Sequence, residues 1–94
     1  MSFVRSDQIK QFITSHLSNS FKENNILEKE IADDFDLMKR GIIDSLGLIQ
    51  LISAIEEQFN IEVDFEDLDT EYITVIGSVS KYIEERAEKR SNNA

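Results

Sequence analysis

Apolar residues recur at intervals of three and four near the start of the chain, at Ile9, Phe12, Ile13, Leu17 and Phe21. This spacing puts them on one stripe of an α-helix. It predicts a helix that begins after Ser6 as N-cap and runs to about Phe21. Lys22 to Asn25 ends it, because asparagine favours turns over helix interiors. A second amphipathic helix is expected from about Ser45 to Phe59, with Leu48, Leu51, Ile52, Ile55 and Phe59 on its core face. Asp44 or Ser45 caps its start and Asn60 stops it. Asp64 with Asp67 resembles a capping box and predicts a brief helix over roughly 65–70. Thr74 is expected to cap the last helix, whose core stripe is Val75 or Ile76, Val79, Ile83 and Ala87. Glu84, Glu85, Arg86 and Glu88 are expected to face water, and Lys89 and Arg90 complement the C-terminal helix dipole.

Residues 26–44 lie between the first two long helices and show no regular period. Leu27, Ile31, Phe35, Leu37, Met38, Ile42 and Ile43 are too many apolar side chains for a solvated linker, so this reads as a long loop with buried anchors. Gly41 is expected to supply a positive φ. The fold class is therefore all-α: a bundle of three main helices plus one short helix, with a long loop between helices 1 and 2. The 94 residues, with three glycines and no proline, fit one domain over 1–90 and a disordered tail over 91–94.

Charge sharpens this picture. The net charge is −9, and residues 41–80 hold nine acids and no lysine or arginine, whereas the flanks carry ten acids against ten bases. An acidic stretch of this kind argues against nucleic acid, which calls for a basic footprint. It suits a face that recruits basic partners. No apolar run approaches the roughly 20 residues of a membrane span. The opening MSFVRSDQIK lacks the apolar core of a secretory signal, so a cytoplasmic monomer is expected.

Candidate chemistry is sparse. The chain has no cysteine, so disulfides, thiolate metal sites and a protein-borne thiol are excluded. His16 is the one histidine and has no cysteine or second histidine to pair with, so no catalytic residues are assigned and no enzyme is expected. Asp34-Phe35-Asp36 opens like a calcium loop, but Met38 and Lys39 stand where a ligand and a glycine are required. No metal site is expected.

The segment Asp36-Leu37-Met38-Lys39-Arg40-Gly41-Ile42-Ile43-Asp44-Ser45-Leu46 remains. Alone, Asp44-Ser45 reads as a plain helix N-cap. Its context adds a hydroxyl at a positive helix terminus, a place that accommodates a phosphodiester. The stretch DLMKRGIIDSLGLIQLISAIEEQFNIEVDFEDL resembles the core of acyl carrier proteins and peptidyl carrier domains. Leu37, Gly41, Ile42, Ile43, Asp44, Ser45 and Leu46 match the family's loop. Leu51, Ile55, Glu56, Glu57 and Phe59 match its helix, Ile61 and Val63 the segment after it, and Ile73-Thr74-Val75 the approach to its last helix.

This resemblance implies that Ser45 carries 4′-phosphopantetheine, with Asp44 as the motif acid that caps the helix and helps position Ser45. It also implies a thioester carrier that catalyses nothing itself. Its partners would be a phosphopantetheinyl transferase, an acyl- or aminoacyl-loading ligase, and downstream transferases or synthases. Leu46 and Ile49, one and four residues after the modified serine, would contact these partners, rimmed by Glu56 and Glu57. Gly47, Gln50 and Asp64 depart from the pattern usual in fatty-acid carriers, which have acids at the first two places and often proline at the third. Asp-Ser-Leu-Gly-x-Ile-Gln-Leu is closer to amino-acid carriers, although the Trp-containing segment of D-alanyl carriers is absent. A specialised biosynthetic pathway is therefore expected. The rival reading is an acidic helical adaptor with no cofactor.

Overall fold

In a computed structural model, residues 4–64 and 73–92 are described. They form four α-helices: α1 (Ser6–His16), α2 (Ser18–Glu23), α3 (Ser45–Phe59) and α4 (Ile76–Asn92), with a short 3₁₀ turn at Glu28–Glu30. The all-α class holds. The short helix expected at 65–70 lies outside the described residues. Ser91 and Asn92, placed by the sequence in a tail, belong to α4.

The first predicted helix is interrupted at Leu17. Leu17 closes α1 through its N–H to Ile13 O at 3.0 Å, and Phe21 N–H then donates to Leu17 O at 3.0 Å. Two local features favour the break. Thr14 Oγ1 donates back to Lys10 O at 2.8 Å, a bond that bends helices. Ser18-Asn19-Ser20 then compete for their own backbone. Arg5, not Ser6, is the N-cap, and Gln8 Oε1 accepts its N–H at 2.9 Å. Ser6 N–H donates instead to Glu84 Oε2 at 2.7 Å. Glu84 therefore ties α4 to the start of α1 and does not simply face water. Arg86 also has a protein partner, its Nε–H donating to Glu62 O at 3.2 Å.

α1 packs along α4 and also meets α3 and α2. The core between them is Ile9, Ile13, Phe21, Leu51, Ile52, Ile55, Ile76, Val79, Ile83 and Ala87, with Phe12, Leu17, Leu48 and Phe59 half-buried against it. The loop contributes Phe35, Leu37 and Ile42, all buried. Two expected loop anchors fail. Leu27 is 57% exposed and Met38 36%, because the turns at Glu28–Glu30 and 38–41 point outward and leave inward places only for their neighbours.

The start of α4 also differs from expectation. Thr74 does not cap it. Ile76 N–H donates to Phe35 O at 3.0 Å and Gly77 N–H to Asp33 O at 2.8 Å, so loop carbonyls satisfy the first amides. The two segments also pair through Leu37 N–H to Thr74 O at 2.9 Å and a single antiparallel bridge between Asp36 and Val75. This approach demands glycine at position 77: a Cβ there would lie 2.8 Å from Asp33 O and 2.9 Å from Asp33 Cβ. Lys10 pairs with Asp33 and ties the same loop to α1. The loop is thus seated on two helices before it delivers the chain to α3.

Candidate functional site

Ser45 is the first residue of α3, and its side chain is exposed. Asp44, in extended conformation, is the N-cap. Its Oδ1 accepts Gly47 N–H at 2.7 Å, and its carbonyl accepts Leu48 N–H at 2.9 Å. The amides of Ser45 and Leu46 have no acceptor within the helix, as at any helix start. A hydroxyl oxygen there can carry a phosphate whose charge meets both open amides and the helix dipole. Asn60, in the left-handed conformation at φ 54°, ends the helix at the expected place.

The loop holds this start in register. Gly41 has φ +73°, as expected. The turn it closes brings Ile42 N–H (2.9 Å) and Ile43 N–H (3.2 Å) onto Leu37 O. Asp36 organises the other end of the turn: its Oδ1 accepts Met38 N–H at 3.1 Å and Lys39 N–H at 3.0 Å. Burial pushes the Asp36 carboxyl up. The Lys39 amide, the Thr74 hydroxyl, the Met38 amide and the Lys39 charge outweigh it and hold the group below the usual carboxylate value. The Arg40 guanidinium lies over the Phe35 ring, 4.8 Å from its centroid.

Leu46 is 62% exposed and Ile49 52%. They share a helix side with exposed Ser53 and Glu57, three to four residues apart along α3. Glu57 is exposed. Glu56 is half-buried and already engaged, because its Oε2 accepts Val63 N–H at 2.8 Å and fastens the chain leaving α3. His16 stacks on Phe12 at 5.5 Å and lines a shallow groove of about 520 Å³ with Asp44, Gly47 and Gln50. Sequence reasoning treated Asp36 as part of a motif and missed its bonds. The signal was an aspartate directly before the five-residue turn 37–41 that ends in Gly41.

The site is thus an exposed serine at a capped helix start, reached through a loop locked to two other helices of a small helical domain. Comparison with known proteins gives this class a family. The sequence model described as "Phosphopantetheine attachment site" matches residues 22–83, well over half of the chain. The acyl carrier protein of Wolinella succinogenes is 32% identical over 78 residues, covering 83% of this chain and 91% of that protein. The acyl carrier protein of Clostridium perfringens is 32% identical over 83 residues, covering 88% and 97%. That of Helicobacter pylori is 38% identical over 61 residues, covering 65% and 76%. The chain belongs to the acyl carrier protein family, its cofactor is 4′-phosphopantetheine, and its role is that of a carrier and not of a catalyst.

Proposed function

We propose that Ser45 is the attachment residue. Its exposure at the first position of α3, directly after the Asp44 cap, is the observation that carries this reading. Ser45 Oγ would take the phosphopantetheinyl group from coenzyme A as a phosphodiester, with the adenosine bisphosphate half as leaving group. When bound, the arm supplies the thiol that a cysteine-free chain lacks. Asp44 fixes the helix start, and Gly47, without a side chain, keeps its rim low. Covalent tethering raises the effective concentration of cargo at each partner site.

In this reading one carrier domain spans 1–90 and acts as a cytoplasmic monomer. A phosphopantetheinyl transferase, a loading ligase and downstream transferases or synthases use the face around Leu46, Ile49, Glu56 and Glu57. Exposed apolar side chains rimmed by carboxylates suit a transient interface. Among the described residues no helix is long and apolar enough to cross a membrane. Gly47 and Gln50 support a dedicated pathway with an amino acid or an unusual acyl group as cargo. Efficient malonyl loading followed by ordinary elongation would overturn that part.

The test of the attachment site is intact-mass measurement after incubation with coenzyme A and a broad-specificity phosphopantetheinyl transferase. Wild-type protein gains one arm and Ser45→Ala gains none. Unmodified wild type, under conditions that modify a control carrier, would refute the assignment.

A further inference from the structure

We propose that the groove between the α1–α2 junction and the first turns of α3 is a resting site for the pantetheine arm, which the tether at Ser45 keeps close by. The inference rests on Ser45 being the attachment residue.

The groove opens beside the attachment point. Asp44 and Gly47 both line it, and Ser45 lies between them in the chain. Its volume of about 520 Å³ falls within the range of small-molecule sites, about 300–1,000 Å³. Leu17, Ile42 and Leu51 supply apolar surface, Ile42 and Leu51 being buried and Leu17 half-buried. His16, Ser20 and Gln50 add polar groups that donate and accept. Gly41 lines it without a side chain, and a Cβ there would meet nothing within 4 Å, so this edge stays open.

Pantetheine has the same mixed character. Its geminal dimethyl group is apolar, while its hydroxyl and two amides form hydrogen bonds. Charge favours the same place. Residues 41–80 carry nine acids and no lysine or arginine. Asp44 is nevertheless the one carboxylate among the residues that line the groove, and it is engaged in capping Gly47 N–H. An uncharged chain can settle there without stripping water from an unengaged carboxylate.

The groove is shallow, so its contacts alone give weak affinity. The tether offsets this, because a short flexible link holds its far end at an effective concentration on the order of millimolar. A groove that takes free pantetheine with a millimolar Kd therefore holds the tethered arm in about half of the molecules. A docked arm is withdrawn from partner enzymes, whose apparent affinity falls with the fraction left free.

Heteronuclear NMR of the full chain tests this in two arms. D-pantetheine is titrated into Ser45→Ala protein, and apo and holo wild type are compared separately. Free pantetheine should shift the amides of Ser20, Gly41 and Gln50, with half-saturation at roughly millimolar concentration. In holo protein the same amides should shift in the same direction, and the geminal methyl protons should show NOEs to Leu17 or Ile42. Gln50 is exposed, so Gln50→Glu should fold normally. It loses a donor and adds a charge, and should weaken the titration roughly three- to tenfold. Glu85→Gln, on an exposed part of α4, should leave the titration unchanged. Four results would each overturn the proposal while leaving the Ser45 reading intact: holo shifts confined to 43–47, NOEs to Leu46 and Ile49 instead, no shifts with pantetheine in folded Ser45→Ala protein, or an unchanged titration in Gln50→Glu. Failure of wild type to accept the arm would strike the Ser45 reading instead, and the pantetheine titration would still report on the groove.

Discussion

Truncating Leu46 to alanine removes side-chain atoms that water mostly already reaches. Complete burial of a leucine is worth about 1.5–3 kcal/mol. With Leu46 62% exposed and Ile49 52%, about half of that or less is at stake at each place. Alanine's better helix propensity recovers a few tenths. Leu46→Ala and Ile49→Ala should therefore each cost less than about 1 kcal/mol. Ile52, one turn from Leu48 on the same helix and wholly buried, sets the other extreme. Ile52→Ala leaves a cavity between α1 and α3 and should cost about 2–5 kcal/mol. Urea unfolding followed by far-UV circular dichroism reads these differences, with the m-value confirming that unfolding stays two-state. The same proteins, held well below their melting temperatures, are then assayed for arm attachment and cargo transfer. Leu46→Ala and Ile49→Ala should slow transfer despite near-native stability. If either melts the domain as badly as Ile52→Ala, the exposed face is core and the interface assignment fails. Native rates in both would mean that the pair is exposed without being used.

Glu56 and Glu57 should separate cleanly. Glu56→Ala leaves Val63 N–H without its acceptor and should cost about 1–2 kcal/mol in urea melts, while Glu57→Ala stays within about 0.5. Equal losses would show that the Glu56 bond contributes nothing. Glu57→Lys should slow association with the transferase more at low salt than at high salt, with exposed Glu85 as the control because Glu84 is bonded to Ser6; equal effects at the two sites would make the acidic bias incidental. Asp36, whose carboxyl is held below its ordinary value, stabilises the fold above the unfolded-state pKa and loses that contribution as pH falls through the folded one. The stability gap between wild type and Asp36→Asn should be constant above about pH 5 and close on acidification below about pH 4; a gap independent of pH would contradict the charge-assisted bonds. Gly77→Ala gains helix propensity but drives a Cβ into Asp33, and should destabilise by about 1–3 kcal/mol. A stabilisation of about 0.5–1 kcal/mol, the usual gain on replacing a helical glycine, would deny the close approach.

Helix α3 was fully legible because its signals are local. Asp44 caps its own third amide, Asn60 adopts the left-handed stop, and the apolar period selects Leu51, Ile52 and Ile55 for burial. The same locality exposed Leu46 and Ile49, which fall off that stripe, and the motif around Ser45, whose residues are contiguous. Gly41 was readable for the same reason, since a tight turn after Met38-Lys39-Arg40 requires a positive φ wherever the chain goes next. Other features depended on partners far away in sequence. Leu27 and Met38 look like anchors by composition, and only the outward turns around them leave them exposed. The capping of Ser6 by Glu84, the capping of α4 by Phe35 and Asp33 carbonyls in place of Thr74, and the tether from Glu56 to Val63 join residues that no short-range pattern relates. Backbone amides at helix starts donate to any well-placed oxygen, so the sequence by itself determined that each start needed a partner. Which oxygen arrives there is settled by how the loop and α4 pack together, and only the tertiary structure decides that.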